Sequence, residues 1–148
     1  MRSRFSAYCT QSVDYILRTY HPLYQSELAK EEIQQFANSS FFIDLTVTDR
    51  SPIYSAVVEN TPSSSDWMYQ NIPKDALSIA TVTFAVRFLQ DDKLHSFAEQ
   101  SRFIQNSQGW FYFDGQLTNQ PALKLNRNEL CPCGSGIKFK RCQHPRRM

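Results

Sequence analysis

A chain of 148 residues, 41% of them hydrophobic, has enough apolar material for one domain with a core and a small appendage. Eleven Phe, seven Tyr and two Trp against four Gly exclude a fibrous or disordered polymer and predict bulky side chains around a core or pocket. The net charge of +2 divides into a body of −4 and a tail of +6, because residues 124–148 set seven Lys and Arg against Glu129 alone.

No apolar run reaches the roughly 18 residues of a membrane span. The opening MRSRFSAYCTQSVDYILRTYH lacks the apolar segment of a secretory signal. The expected compartment is the cytoplasm, where thiols stay reduced and clustered cysteines point to metal before disulfides.

In chain order, apolar residues at helical spacing predict a helix from Ser3 to about Tyr20, stopped by His21-Pro22. A second helix fits Glu27–Ala37, with Leu28, Ile33 and Phe36 on one side. Strands follow at Phe41–Asp49, with Ile43, Leu45 and Val47 alternating, and at Ile53–Glu59. Residues 60–76 read as a Ser/Pro/Asn-rich loop. Three strands, Leu77–Leu89, Leu94–Gln105 and Trp110–Asp114, are joined by turns at Asp91-Asp92 and Ser107-Gln108-Gly109. Helices followed by an antiparallel meander make the class α+β. Leu117–Asn128 reads as a linker into the tail.

That tail, CPCGSGIKFKRCQHP, carries Cys131, Cys133, Cys142 and His144 in the spacing C-x-C-x8-C-x-H. Thiolates and an imidazole suit a tetrahedral zinc ion, and a closed set of four marks a structural site, one Zn2+ per chain. Gly134 and Gly136 stand where the chain must turn back to bring the second pair to the metal. Lys138, Lys140 and Arg141 favour the thiolate form. So short a segment has little core, so its folding would rest on metal binding, worth roughly 10–16 kcal/mol in such sites.

RNELCPCGSGIKFKRC resembles the SEC-C motif, a small zinc-binding module. The usual SEC-C ending places His or Cys directly after the last Cys. Here Gln143 intervenes, so water or Cys9 stand beside His144 as alternatives for the fourth ligand. MRSRFSAYCTQSVDYILRTYHP and SRFIQNSQGWFYFDG are similar to the YchJ family, whose central domain is NTF2-like. The resemblance implies a cone of helices on a curved antiparallel sheet over residues 1–122 and a SEC-C module over 123–148. Members of that family also carry a SEC-C motif ahead of the RSR segment with which this chain opens, and the expectation is that this module is absent here.

The turn at Asp91-Asp92 sets a register in which Phe84 faces Glu99, Val86 faces Phe97 and Phe88 faces His95. Carrying that register through the next turn puts Trp110, Tyr112 and Asp114 on the same face. Glu99 and Asp114 would then lie roughly 7–8 Å apart among aromatic rings, as candidates for acid–base work. One bulge would reverse the faces, and Arg87 and Arg102 could pair with these acids instead, so binding is set ahead of catalysis. Asp14 and His21, about 10.5 Å apart along one helix, are too distant for a dyad. His21 reads as a helix-terminus residue, His95 as a surface or packing residue and Cys9 as core. No phosphate loop, G-x-S-x-G or H-E-x-x-H occurs.

Phe139 among Lys138, Lys140 and Arg141 could also stack and contact a nucleic-acid backbone. In the preprotein translocase motor, the SEC-C module docks an acidic chaperone. The resemblance therefore implies an acidic protein surface as partner, with RNA or the ribosome as the alternative. NTF2-like sheets also suggest a homodimer. The role read from the sequence is binding or adaptor work through the tail, with a small-molecule or enzymatic pocket in the cone as the second reading.

Overall fold

The expected first helix is two. In the computed structural model, which describes residues 1–26, 30–57 and 66–144, α1 (Arg2–Cys9) ends at a turn and α2 (Val13–Arg18) starts anew. Gln11 takes φ 58°, and the Thr10 hydroxyl donates to Ser6 O at 2.9 Å. Ser and Thr side chains compete for the backbone groups a helix needs, so Thr-Gln-Ser favours a break that apolar periodicity does not register.

His21-Pro22 likewise starts a helix as well as stopping one. Pro22 is the first residue of α3 (Pro22–Gln25), and His21 caps it by accepting the Leu23 N–H at Nδ1, 3.3 Å away. The next helix, α4, runs Lys30–Ser39; the earlier start expected at Glu27 lies outside the described residues.

Among the described residues six strands form one antiparallel sheet: β1 (Phe41–Arg50), β2 (Tyr54–Ser55), β3 (Ser78–Gln90), β4 (Lys93–Asn106), β5 (Gly109–Asn119) and β6 (Leu123–Lys124). The main order is β1-β3-β4-β5, with β2 on the start of β3 and β6 on the start of β4. The expected strand at Ile53–Glu59 shrinks to β2, its last residues lying outside the described ones. The end of β5 and all of β6 lie within the expected linker, Leu117–Asn128.

Asp91 and Asp92, at φ 50° and 58°, make a two-residue turn of the kind whose twist matches paired strands. It fixes the expected register: Phe84 faces Glu99, Val86 faces Phe97 and Phe88 faces His95.

One face of the sheet buries Phe84, Val86 and Phe88 under α1 and α4, through Phe5 and Phe36. Burial of each such side chain contributes about 1.5–3 kcal/mol. Leu45 and Val47 join this face, but Ile43 does not: a bulge between Phe42 and Asp44 sends it to the opposite side with Phe41. The opposite face holds two clusters. Ile79, Ile104, Phe113, Met68 and Ala76 pack at one end. At the other, Leu89, Phe41, Ile43, Leu94 and Leu125 pack against Cys131 and Cys142. Among the described residues no helix is long and apolar enough to cross a membrane.

Candidate metal centre and interior cavity

The cysteine tail folds back on itself before it meets the sheet. Gly134 and Gly136 take φ 80° and 71°, conformations open to glycine at little cost. The reversal lets Cys131 N donate to Ile137 O at 2.8 Å and Phe139 N to Glu129 O at 2.9 Å, and a 3-10 turn at Phe139–Arg141 then delivers Cys142.

The result is a cluster of Cys131, Cys133, Cys142 and His144 whose ligand atoms all lie within 4.8 Å of one another. Cys133 Sγ is 3.5 Å from Cys142 Sγ. His144 Nδ1 is 2.6 Å from Cys142 Sγ and 3.2 Å from Cys131 Sγ, so the imidazole completes the set across Gln143. Thiolates bound at about 2.3 Å around a tetrahedral ion stand about 3.8 Å apart, so this donor set fits such an ion. Cys9 is not part of the cluster, and it is exposed where a core position was expected.

The three thiols do not ionise alike. Burial pushes Cys131 up to about 12, and neighbouring thiols add to it. Burial acts the same way on Cys133, but hydrogen bonds from Ser135 and Cys131 outweigh it and bring that thiol down to about 7. A cation held by Cys131, Cys133, Cys142 and His144 would favour all three cysteines as thiolates.

The centre is built into the body. Its two buried cysteines pack on Leu89, and the His144 ring lies 5.4 Å from Phe41 and 5.6 Å from Phe139. Of the residues expected to meet a partner, Lys138, Lys140 and Arg141 are exposed, while Phe139 is half-buried in this cluster.

On the other face of the sheet, α1 roofs a cavity of about 100 Å³. Glu99 lines it, with Oε1 accepting from the Tyr112 hydroxyl and from Ser101 Oγ, both at 2.7 Å. Gly115 makes room for this carboxylate: a Cβ there would stand 2.1 Å from Glu99 Oε1. Burial, then the Glu99 charge, drives the Tyr112 pKa far above the ordinary tyrosine value. Burial also pushes Tyr8 up to about 12. Arg4, 5% exposed, stacks over Tyr20 and Tyr112 at 4.4 and 4.7 Å.

Asp114 is not in this cavity, which corrects the expected Glu99/Asp114 pair. Phe103 faces Tyr112 but Arg102 faces Asp114, so Phe113 is bulged and Asp114 turns to the opposite face. There it binds Arg102 through both oxygens, at 2.6 and 2.5 Å. Arg87 pairs instead with Asp44. His95 stacks on Phe88 at 5.0 Å, as packing. His21 is buried, with Nε2 3.2 Å from Asp75 Oδ1 but off the line of a hydrogen bond.

Sequence reading missed Arg4 and Gly115. A charged residue on an amphipathic helix reads as surface, and a strand glycine gives no sign of which side chain needs its space. The available signals were the Arg-Phe-x-x-Tyr spacing, which puts Arg4, Phe5 and Tyr8 on adjoining positions of one turn, and an isolated glycine within a strand.

Helices over an antiparallel sheet, with an appended cluster of three cysteines and a histidine, define an NTF2-like protein carrying a small module that could hold a metal ion. The chain belongs to the family described as YchJ, middle NTF2-like domain, matched over residues 1–61 and 53–115, and a SEC-C motif matches residues 127–142. A SEC-C motif containing protein from Rhodopseudomonas palustris, solved in solution, superposes with a TM-score of 0.57 at 24% identity, covering 78% of this chain and 73% of that one. The crystal structure of a SEC-C motif containing protein from Psychrobacter arcticus gives 0.55 at 26% identity, covering 96% of this chain and 70% of that one.

Proposed function

We propose that the chain is a zinc-dependent interaction protein of the cytoplasm, whose C-terminal module presents a basic surface to an acidic protein. The observation that carries this reading is the joint placement of the cluster. Its cysteines are anchored on Leu89 while Lys138, Lys140 and Arg141 remain exposed around it. Zinc is favoured by the donor set, because three thiolates and one imidazole leave no open position for a substrate. An acidic partner is favoured because the exposed side chains are cations with no carboxylate bound to them among the described residues. Phe139, being packed, supports the centre and leaves stacking on a base without an aromatic platform, which sets RNA second.

The test is crosslinking of the full metal-loaded chain, followed by identification of the captured species with and without nuclease. The expected result is a nuclease-resistant acidic protein, lost in Lys138→Glu/Lys140→Glu/Arg141→Glu and weakened by salt. Nuclease-sensitive capture would replace the protein partner with RNA. Capture unchanged by the triple variant would end the reading.

A further inference from the structure

The strand order leaves β1 and β5 at the two edges of the sheet, and the sequence treats them differently. β1 is guarded: its register shifts between Phe42 and Asp44 and again between Val47 and Asp49, and Asp44, Asp49 and Arg50 place charge along it. Bulges and charges are the usual means by which an edge strand avoids pairing with another chain. β5 is divided. At Tyr112 its outer edge is already taken, because Tyr112 N donates to Thr19 O and His21 N to Tyr112 O, both at 2.8 Å. Beyond the bulge at Phe113 the edge is open, with Gly115, Gln116, Leu117, Thr118 and Asn119 all exposed. Gln120 N donates to Ser96 O at 3.1 Å, so that pair is hydrogen-bonded between β4 and β5. Such pairs alternate along an antiparallel ladder, so Thr118 and Gln116, opposite Ala98 and Gln100, turn their N–H and C=O inward. Asn119, Leu117 and Gly115 turn theirs outward, and among the described residues no strand meets them.

The chain carries no charge from Gly115 to Leu123, and Leu117, in the middle of the open stretch, is 53% exposed. We propose that this edge pairs with the same edge of a second copy of the chain, antiparallel, about a two-fold axis at Leu117. A two-fold contact needs a self-complementary patch. With Leu117 opposite the partner's Leu117, Gly115 falls opposite the partner's Asn119 and Gln116 opposite the partner's Thr118. Each outward N–H then meets an outward C=O, giving about six hydrogen bonds in three pairs. No charge meets a like charge, and the two exposed leucines cover each other. A foreign strand would find no charge on this edge to select it, whereas self-pairing needs none. Pro121, which has no N–H to donate, ends the open stretch, so the contact is short and association depends on concentration.

Sedimentation velocity of the full metal-loaded chain, over about a thousandfold range of concentration up to roughly 1 mM, reads the equilibrium between monomer and dimer. The expected result is a dimer that forms as concentration rises. Leu117→Lys and Leu117→Glu each set like charges against each other on the axis, so each alone should raise the dissociation constant at least about tenfold. Mixing the two variants should restore association, because opposite charges then meet. Both replace an exposed side chain, so the fold is expected to survive. Hydrogen exchange identifies the edge: as concentration rises, the Gly115, Leu117 and Asn119 amides should slow, while Gln116 and Thr118, bonded inside the sheet, should change less. A chain that stays monomeric throughout would overturn the proposal. So would a dimer indifferent to both variants, or one whose formation leaves the Leu117 amide exchanging as fast as before, since another face would then join the copies.

Discussion

His144 Nδ1 stands 2.6 Å from Cys142 Sγ with only Gln143 between the two residues. Gln143 is exposed, and one intervening residue is absorbed without pulling the imidazole from the cluster. His144 is held there by rings from both parts of the molecule, Phe41 of β1 and Phe139 of the module.

Metal analysis should therefore find one zinc per chain, absent in Cys142→Ser. Loss of an outer-shell partner lowers metal affinity by roughly 10–100-fold, so His144→Ala, which removes a direct ligand, should lower it further. Competitive chelator titration measures both. Affinity should also fall as pH falls, because protons compete for three thiolates, with Cys131 the hardest to deprotonate.

Because Cys131 and Cys142 pack on Leu89, metal removal should loosen one end of the sheet selectively. Hydrogen exchange after chelation should accelerate at Phe41, Leu89 and Leu94 while Phe84 and Phe97 keep their protection. Uniform acceleration would show that the metal stabilises the body as a whole.

Gly115→Ala should destabilise the fold by about 1–3 kcal/mol, the usual range for overpacking, by driving the Glu99 carboxylate off Tyr112 and Ser101. In Gly115→Ala/Glu99→Ala the clash is gone, so the double variant should lose less stability than the two single losses together. Urea unfolding of all four proteins reads the coupling.

Alkaline pH should weaken the fold through Tyr8 and Tyr112. Both have pKa values raised above the unfolded value of 10.0, Tyr8 to about 12 and Tyr112 beyond it, because burial disfavours the phenolate. Their contribution is complete below about pH 10 and declines as the unfolded chain ionises first. Unfolding free energy should fall as pH rises from 10.0 towards 12, less steeply in Tyr8→Phe.

Arg102→Lys should cost about 1.5–3 kcal/mol, the worth of a hydrogen bond to a charged group. Lysine keeps the charge but lacks the fork that binds both Asp114 oxygens while donating to Trp67 O at 2.8 Å and Gln70 O at 2.6 Å. Chemical denaturation with an unchanged m-value would assign the loss to these contacts.

The sequence by itself determined what local chemistry decides. The metal ligands were legible because three thiols and an imidazole in one short glycine-containing stretch have few other physical uses. The β3–β4 register was legible because a two-residue Asp-Asp turn leaves the paired strands no freedom to slip. What the tertiary structure alone decided turns on single residues whose effect is felt far along the chain. An extra residue at Phe113 reverses the face of Asp114, and another at Ile43 splits the apolar alternation of β1, because side-chain direction in a strand has a period of two. Arg4 enters the interior only because α1 breaks at Gln11, letting the Ile16 carbonyl and the Thr19 hydroxyl reach its guanidinium. Local pattern names the cluster that could hold a metal; long-range packing makes the cavity.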